Sequence, residues 1–308
     1  MVMSHVPVMA REVMDILPLR PGATAVDGTL GLAGHGKMMC ERIAPGGLFV
    51  GLDWDDEMLS EAKSRLVDVK GVEVRLFRTD YRSLRSKLDL ACSEAGRVPE
   101  ADAVLLDLGL NNAQIEDGDR GISFRQEGDL DMRMDRSKGE PASAVLNRIS
   151  PIELEKALWN FGDERWAKRI AQVVVDRRKN HPLRTTEDLV DCVLAAVPAA
   201  KRDKRIHPAT RTFQAVRILV NGELDELDEA LSDAGRCLAP GGVMVILSYH
   251  SGEDRAAKAA IRDLVNGGGF EAIYKKPLRP QADEIAVNGK ARSAIMRAVR
   301  RIKDETTL

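Results

Sequence analysis

The stretch that decides the fold is Thr24-Ala25-Val26-Asp27-Gly28-Thr29-Leu30-Gly31-Leu32-Ala33-Gly34-His35-Gly36. Its first four residues predict a short strand, and the glycines that follow let the backbone approach a ligand where a Cβ atom would collide. A second apolar run, residues 48–52, leads directly into Asp53. An acidic side chain about 20 residues beyond such a loop can hold both hydroxyls of a ribose. The stretch therefore predicts a site for a nucleotide-containing cofactor.

The spacing of the glycines distinguishes two kinds of cofactor. Dinucleotide sites are marked by Gly-x-Gly-x-x-Gly, whereas this loop reads Gly28-x-x-Gly31-x-x-Gly34-x-Gly36, with Asp27 before it. A carboxylate there would repel a diphosphate but suits the ammonium and sulfonium groups of S-adenosylmethionine. We therefore expect S-adenosylmethionine. An oxidoreductase that uses a dinucleotide, and a tight strand-to-helix turn without any ligand, remain as alternatives.

The composition describes an ordinary globular protein. Of the 308 residues, 44% are hydrophobic and 31% are charged, which allows one large domain or two modest ones. No apolar run reaches the roughly 18 residues of a membrane helix, and the N-terminus lacks a secretory pattern. We expect a cytoplasmic protein with no membrane partner.

Cysteine and histidine spacing gives no sign of a metal. The four cysteines, Cys40, Cys92, Cys192 and Cys237, are far apart in the sequence, and the five histidines show no ligand spacing. We expect buried, reduced thiols and no metal site.

Basic residues are concentrated locally although the net charge is only -2. Two basic clusters lie at residues 177–179 and 201–205, and a longer one comprises Lys275, Lys276, Arg279, Lys290, Arg292, Arg297, Arg300, Arg301 and Lys303. Such patches can bind phosphates without making the whole protein basic. Solvated surface is the alternative interpretation of any one cluster.

Strand and helix patterns alternate through the first third of the chain. Strands are predicted at 23–27, 47–52, 72–77 and 102–107, with helices at 34–44, 55–68 and 80–95 between them. This alternation predicts a doubly wound parallel sheet, which binds ligands at the carboxyl ends of its strands. Asp27, Asp53, Asp80 and Asp107 all fall at those ends.

The alternation stops after Asp107. Residues 108–136 predict a long loop rich in Gly, Asp and Arg, and helices are predicted near 151–159, 163–180 and 185–197. We expect a helical insertion over residues 115–208, because a loop of this length in a compact domain is usually functional. A long amphipathic helix is then predicted from Pro208 to Leu238, with a kink at Asn221-Gly222, followed by a strand at 243–247, a helix at 252–266 and closing strands near 270–274 and 294–302.

Several ordered motifs carry a resemblance to a known family. They are His5-Val6-Pro7-Val8, Gly34-His35, Leu106-Asp107-Leu108-Gly109, Asp119-Arg120-Gly121-Ile122-Ser123-Phe124, Leu130-Asp131-Met132-Arg133-Met134-Asp135, His207-Pro208-Ala209-Thr210-Arg211-Thr212-Phe213-Gln214-Ala215, His250-Ser251-Gly252-Glu253-Asp254-Arg255 and Arg292-Ser293-Ala294. Together they closely resemble the bacterial ribosomal RNA small subunit methyltransferase H family over essentially the whole chain.

The resemblance implies a fold and an activity. The fold would be an α/β, doubly wound, Rossmann-like class I methyltransferase sheet, formed by residues 1–114 and 209–308, with the helical insertion at 115–208 recognising the substrate. The activity would be transfer of a methyl group from S-adenosylmethionine to the exocyclic N4 of a cytidine in the decoding region of 16S ribosomal RNA. The partner would be that RNA or the 30S subunit, and a homodimer is left open.

The resemblance also places the cofactor contacts on particular residues. They are Ala33, Gly34 and His35 in the loop, Asp53 at the ribose, Tyr81 and Asp107 around the adenine, and Gln114 beyond the fourth strand. Taken without the family, the sequence favours Tyr81 as a core residue, Gln114 as a surface amide and His35 as the start of a helix. Asp107 differs from these because a carboxylate at the end of an apolar strand needs a partner.

We expect the acceptor amine of the RNA to bind just after the fourth strand, at Asn111-Asn112. The family usually has Ser-Ser-Pro at 111–113, whereas this chain has Asn-Asn-Ala. Gly252 replaces a usual leucine, and Gly289-Lys290 replaces a usual Pro-Arg. We assign catalytic roles to Asn111, Asn112 and His250. A non-catalytic relative that binds cofactor and RNA is the alternative.

Contacts with RNA are expected from basic and aromatic residues. The candidates for phosphate contacts are Arg211, Arg217, Arg255 and Arg292, with salt bridges to nearby acids as the alternative. Trp159 and Trp166 could stack on a base, with at least one of them expected to anchor the core of the insertion instead. A Ser/His hydrolase is not indicated, since no Gly-x-Ser-x-Gly motif is present.

Overall fold

The computed structural model describes residues 7–109, 121–203 and 205–303. The chain divides into two units: the first comprises Met1–Gly109 and Glu226–Leu308, and the second is Leu110–Asp225. None of the described helices is long and apolar enough to span a membrane.

The described part of the first unit contains a seven-stranded sheet. Its strands are β1 (Thr24–Asp27), β2 (Gly47–Asp53), β3 (Val72–Arg78), β4 (Ala101–Asp107), β5 (Leu238–Ser248), β6 (Phe270–Ala272) and β7 (Ile295–Arg301). The order is β3-β2-β1-β4-β5-β7-β6, and β7 runs antiparallel to both β5 and β6. The predicted α/β class and its four leading strands are therefore confirmed.

Helices in chain order are α1 (Ala10–Ile16), α2 (Gly34–Ile43), α3 (Asp56–Leu66), α4 (Leu84–Glu94), α5 (Ala142–Arg148), α6 (Pro151–Gly162), α7 (Ala167–Arg178), α8 (Thr186–Ala196), α9 (Thr210–Asn221), α10 (Leu227–Arg236), α11 (Ser251–Asn266) and α12 (Ala282–Val287). Helices α5 to α9 belong to the second unit, and the others belong to the first. Short 3-10 turns occur at Tyr81–Ser83, Ala199–Lys201 and Gly289–Ser293.

Close packing of α2 on the sheet fixes the position of the glycine-rich loop. A Cβ atom on Gly36 would lie 2.9 Å from Cζ of Phe49 and 3.0 Å from Cδ1 of Leu30, so the helix meets β2 at a point where only glycine fits. Phe49 is fully buried. Since the ends of β1 and β2 are fixed by parallel pairing, this contact places the loop beside Asp27 and Asp53.

The core of the second unit is formed by the apolar faces of its helices. Leu154, Leu158, Ile170 and Val174 are buried together, as the spacing of apolar residues on α6 and α7 predicts. Ser150 begins α6 with a reciprocal capping box to Glu153, and Thr185 begins α8 in the same way with Asp188.

The long helix predicted from Pro208 to Leu238 is instead two helices. Helix α9 ends at Gly222, whose φ of 59° is left-handed, and α10 begins after Glu226, which is also left-handed at 55°. Because α9 packs closely on α6, it lies within the second unit, which ends at Asp225 rather than at residue 208.

Other differences are confined to short or irregular segments. Helices α1, α5 and α12 were not predicted, because two turns or fewer carry little periodicity. Strand β5 begins at Leu238 rather than at residue 243, so Pro240-Gly241-Gly242 continues the strand. All four cysteines are buried and free, as expected.

Replacing Gly162 with alanine should destabilise the second unit. Its Cβ atom would lie 2.5 Å from the carbonyl oxygen of Arg211 on α9, so the two helices would have to separate. We expect a loss of about 1–3 kcal/mol in the free energy of unfolding, measured by urea denaturation followed by circular dichroism. Gly289→Ala is the control, since nothing lies within 4 Å of its Cβ position. Equal stability of both variants would contradict the close contact.

Candidate active site

Asp27, at the end of β1, is a buried carboxylate that the glycine-rich loop holds in place. Its side chain is 2% exposed. Oδ1 accepts hydrogen bonds from the Thr29 amide at 3.1 Å and from the Thr29 hydroxyl at 3.4 Å. Burial, reinforced by the charges of Asp107 and Asp53, raises the pKa of Asp27 to about 7. The protein therefore holds negative charge here at a free-energy cost that a cationic ligand would offset.

Asp53, at the end of β2, connects the loop to the neighbouring strand. Oδ2 accepts from the Gly31 amide at 2.8 Å, and Oδ1 accepts from the Asp55 amide at 3.0 Å. Burial raises the pKa of Asp53, and these backbone hydrogen bonds oppose that rise. Each carboxylate oxygen has a second lone pair, so the side chain can still accept from two ribose hydroxyls.

The residues that open α2 are shaped by the first described residues of the chain. Ala33 adopts the left-handed conformation with a φ of 56° and precedes the helix. A Cβ atom on Gly34 would lie 2.8 Å from Cγ of Pro7. Packing against Pro7 thus requires glycine at position 34. This packing is a second reason for the glycine, in addition to the cofactor contact that the family resemblance implies.

His35 is buried and sits between a carbonyl and a carboxylate. Nε2 lies 3.0 Å from the oxygen of Val8, and Nδ1 lies 3.7 Å from Oδ2 of Asp107. A carbonyl oxygen can only accept, so Nε2 carries the proton in the neutral ring. Burial lowers the pKa of His35, which favours the neutral form. Its imidazole thus turns an unprotonated nitrogen toward Asp107.

Asp107, at the end of β4, has a protein partner that sequence reasoning missed. The Tyr249 hydroxyl donates to Oδ1 of Asp107 at 2.7 Å, and the Asp107 amide donates to Oγ1 of Thr29 at 2.6 Å. Burial raises the pKa of Asp107, while His35, Tyr249 and Lys290 lower it. Its side chain is 22% exposed, so one face stays open to a ligand.

Tyr249 follows β5 and remains a neutral donor. Burial, followed by the charge of Asp107, raises the pKa of Tyr249 well above its ordinary value. The ring also packs on the backbone of Gly109, where a Cβ atom would lie 2.9 Å from Cδ2 of the ring. The signal available in the sequence was a tyrosine directly after the fifth strand of a parallel sheet, at the edge where ligands bind.

A segment near the end of the chain also reaches this site. Oε1 of Glu284, on α12, accepts a hydrogen bond from the Met9 amide at 2.7 Å. Lys290 lies close enough to Asp107 for its charge to lower the pKa of that carboxylate. Position 290 is one of the departures from the family pattern: lysine replaces the usual arginine and keeps the positive charge.

His250 begins α11 as its N-cap. Nδ1 accepts from the amides of Gly252 and Glu253 at 3.2 and 3.3 Å, and Nε2 lies 3.2 Å from Oε1 of Glu253. Oε2 of Glu253 accepts from the Tyr249 amide at 2.7 Å. This arrangement gives His250 a structural role next to Tyr249. Its catalytic role stays a prediction.

The remaining cofactor candidates differ in what the structure describes. Tyr81 begins the 3-10 turn after β3, half-buried, with the Arg82 guanidinium 5.6 Å from its ring centroid. Asp80 caps that turn by accepting from the Arg82 amide at 3.0 Å. Asn111, Asn112 and Gln114 lie outside the described residues, so their assigned roles stay predictions.

The arginines expected to contact phosphate fall into two groups. Arg217 forms a two-pronged ion pair with Glu223, with both distances 2.8 Å and side chains only 13% and 11% exposed, so the salt-bridge alternative holds for it. Arg211 is exposed and donates to the carbonyl of Asp163 at 3.1 Å. Arg255 and Arg292 are exposed in the first unit.

Several other basic residues are ion-paired. Arg297 pairs with Asp254 at 2.7 Å, Arg300 with Glu271 at 3.1 Å, and Arg301 with Glu100 at 3.0 Å.

The two tryptophans of the second unit differ in their exposure to solvent. Trp166 is partly buried against the core, whereas Trp159 is 59% exposed.

The charges at the strand ends discriminate between the two cofactors considered. Asp27, Asp53 and Asp107 lie near enough that the charges of Asp53 and Asp107 raise the pKa of Asp27. A diphosphate would add negative charge to this cluster, whereas an ammonium and a sulfonium would be attracted to it. The loop, the two acids at neighbouring strand ends and the open face of Asp107 therefore fit S-adenosylmethionine.

A Rossmann-like sheet with this strand order and an acidic, glycine-bordered site defines the protein as an α/β methyltransferase that uses S-adenosylmethionine. The chain belongs to the MraW methylase family, whose model matches residues 2–302. This confirms the family that the sequence motifs indicated.

Curated relatives match over nearly the whole chain. The protein from Geotalea uraniireducens strain Rf4 is 41% identical over 313 residues, covering 97% of this chain and 98% of the relative. That from Syntrophotalea carbinolica is 41% identical over 319 residues, covering 98% and 99%. The Heliobacterium mobile protein is 38% identical over 313 residues, covering 97% and 99%. All three are named ribosomal RNA small subunit methyltransferase H.

Replacing Asp27 with asparagine should stabilise the protein in a pH-dependent way. A folded-state pKa of about 7, against 3.8 as the ordinary value, means that the native state keeps a proton that the unfolded state has lost. The wild type therefore loses stability as the pH rises from about 4 to about 7, and asparagine escapes that loss. We expect the variant's advantage to be near zero at pH 4 and to reach the order of 4 kcal/mol above pH 7.

Urea denaturation of both proteins between pH 4 and pH 8 measures this difference. Asp56→Asn, which removes a carboxylate that is 68% exposed and paired with Arg78, controls for loss of charge elsewhere. A stability difference for Asp27→Asn that does not grow with pH would show that Asp27 is ionised at no cost.

Proposed function

We propose that this protein transfers a methyl group from S-adenosylmethionine to the exocyclic N4 of a cytidine in the decoding region of 16S ribosomal RNA. The single observation that carries the proposal is the gathering of Asp27, Asp53 and Asp107 at adjacent strand ends in a chain that belongs to a methylase family. The RNA substrate is supported by the names of the relatives, which cover nearly the whole chain.

Asp53 and the glycine-rich loop would bind the cofactor. Because both oxygens of Asp53 are fixed by backbone amides, the carboxylate presents its remaining lone pairs in a set direction. It would accept from the ribose hydroxyls, and Asp27 would balance the positive charge of the methionine half. When bound, the sulfonium supplies an activated methyl group.

The end of β4 would position the reacting groups. Asp107 would accept from the adenine amine, with its side chain held by the Tyr249 hydroxyl and its main-chain amide by Oγ1 of Thr29. The residues that follow this fixed strand end would align the weak nucleophile with the methyl group. The N4 lone pair of cytosine is delocalised into the ring, so acceptors for its two protons favour the reactive, pyramidal nitrogen. Asn111 and Asn112 follow Asp107 in the chain and are proposed as those acceptors.

The second unit is proposed as the part that recognises RNA. Arg211 in this unit, and Arg255 and Arg292 in the first, are exposed and are proposed to contact phosphates. Arg217 is omitted from this set because Glu223 neutralises it. The substrate would be reached in the cytoplasm, as naked RNA or as the 30S subunit.

The non-catalytic alternative finds no support in the comparisons, since the relatives described above are named as methyltransferases. The oxidoreductase alternative is opposed by the acidic cluster at the strand ends, which disfavours a diphosphate.

Removing the carboxylate of Asp53 should weaken cofactor binding. Asp53→Ala loses the proposed ribose contacts and also frees the Gly31 and Asp55 amides, so we expect binding of S-adenosylhomocysteine to weaken about 10- to 100-fold. Calorimetric titration measures the affinity, and circular dichroism checks the fold. Asp56→Ala, which changes an exposed acid at the start of α3, should bind as tightly as wild type.

Two results would contradict this placement of the cofactor. One is unchanged affinity in Asp53→Ala. The other is tight binding of NADH by the wild type in place of S-adenosylhomocysteine.

Deleting the gene should remove one methylated nucleoside from small-subunit RNA. Mass spectrometry of digested RNA from the deletion strain should show a loss of N4-methylcytidine, restored by the wild-type gene and not by Asp53→Ala. An unchanged N4-methylcytidine signal after deletion would refute the proposed substrate.

A further inference from the structure

Helix α6 of the second unit presents a large aromatic ring to solvent. Trp159 is 59% exposed, although Trp166, seven residues further along the same helical hairpin, is partly buried against the core. The second unit therefore packs one of its two tryptophans against the core and exposes the other. An exposed tryptophan is a common feature of binding surfaces, since its ring offers a large contact area and loses little conformational freedom on binding.

Exposed cations outnumber exposed acids around this ring. Residues 155–169, which begin about one helical turn before Trp159, contain four exposed basic residues, Lys156, Arg165, Lys168 and Arg169. The same stretch has three acids: Glu155 is partly exposed, Asp163 is exposed, and Glu164 is 4% exposed and accepts a hydrogen bond from the Trp166 amide at 2.9 Å. Because Glu164 is turned into the protein, four exposed cations face two acids on this surface.

Hydrogen bonds in the turn bring these residues to one end of the hairpin. The Asp163 amide donates to the carbonyl of Trp159 at 3.1 Å, and the Glu164 amide donates to that of Leu158 at 3.2 Å. Arg211, from α9, donates to the carbonyl of Asp163 at 3.1 Å. Trp159 is therefore within one helical turn of the connection that carries Arg165 and leads into Lys168 and Arg169.

We propose that Trp159 stacks on an unpaired nucleotide of the RNA substrate, while Arg165, Lys168, Arg169 and Arg211 contact the phosphates on either side. We call these five residues the Trp159 surface. The proposal rests on the proposed function, in that the partner is RNA. It adds where a flanking nucleotide binds and that this nucleotide must be unpaired, because a base within a duplex offers no free face to an aromatic ring.

Charge favours RNA over a second copy of the chain for this surface. A tryptophan bordered by arginines and lysines combines the two elements of single-strand recognition, a stacking platform and a cationic track for the backbone. A second copy of the chain would bring the same positive charges into contact with themselves, which is unfavourable.

Binding of short RNA probes by variants tests the proposal. The probes are a single-stranded oligoribonucleotide from the decoding region and the fully paired duplex of the same sequence. We expect Trp159→Ala to weaken binding of the single strand about 5- to 150-fold, the equivalent of one stacked base, without affecting the duplex. Trp159→Phe should retain most of the affinity, because phenylalanine also stacks.

Two further variants separate stacking from charge and from general damage to the helix. Lys168→Ala should weaken binding of both probes and lower the slope of log affinity against log salt by about 0.7 for the single strand, whereas Trp159→Ala should leave that slope unchanged. Ile152→Ala, an apolar residue on the same helix that is 65% exposed, should bind both probes like the wild type.

The outcomes distinguish failure of this inference from failure of the proposed function. If the wild type binds the single strand and Trp159→Ala binds it equally well, the inference is wrong and the proposed function stands. If the wild type binds S-adenosylhomocysteine but neither probe, the inference is wrong, and the proposed function is decided by the N4-methylcytidine assay, because its substrate can also be the 30S subunit. If Trp159→Ala changes the oligomeric mass in light scattering and not the RNA affinity, the surface contacts a protein chain instead.

Discussion

Burial of a carboxylate at the end of β4 is the constraint on which the active site depends. Its carboxylate needs a donor, which the Tyr249 hydroxyl provides at Oδ1, and its main-chain amide donates to Oγ1 of Thr29. Thr29 also donates to Asp27, so two acids at neighbouring strand ends share one hydroxyl group. Burial raises the pKa values of Asp27, Asp53 and Asp107, and hydrogen bonds to the three carboxylates offset part of that rise. The acidic side chains of the site are therefore already held in place to bind a cation.

Much of the first unit follows from local sequence patterns. The four leading strands are predictable because apolar runs of strand length alternate with helical periodicity, and three of the four runs end at or just before an acid. The unpredicted pieces are short, such as α12, or depend on tertiary contacts, such as the break between α9 and α10. Periodicity alone cannot reveal that break, because the apolar spacing continues across it while the two helices pack in different units.

The candidate site was predictable in its acids and less so in their partners. Asp27, Asp53 and Asp107 stand out in the sequence because placing a carboxylate at the end of an apolar strand costs desolvation free energy. A cluster of such residues therefore indicates a role other than stabilising the fold. Tyr249 is separated from Asp107 by 142 positions, and no spacing rule connects the two. Charged surface residues are the least predictable group, since Arg217 and Arg211 lie on one helix and only the fold shows that Glu223 neutralises the first.

The contacts around Asp107 have a consequence for how the protein is made. Thr29, Asp107 and Tyr249 belong to one unit, yet the whole second unit is synthesised between the last two of them. A nascent chain that has just completed the four leading strands therefore lacks the hydroxyl that donates to the carboxylate of Asp107. Cofactor affinity should emerge only once β5 has left the ribosome and joined the sheet beside β4.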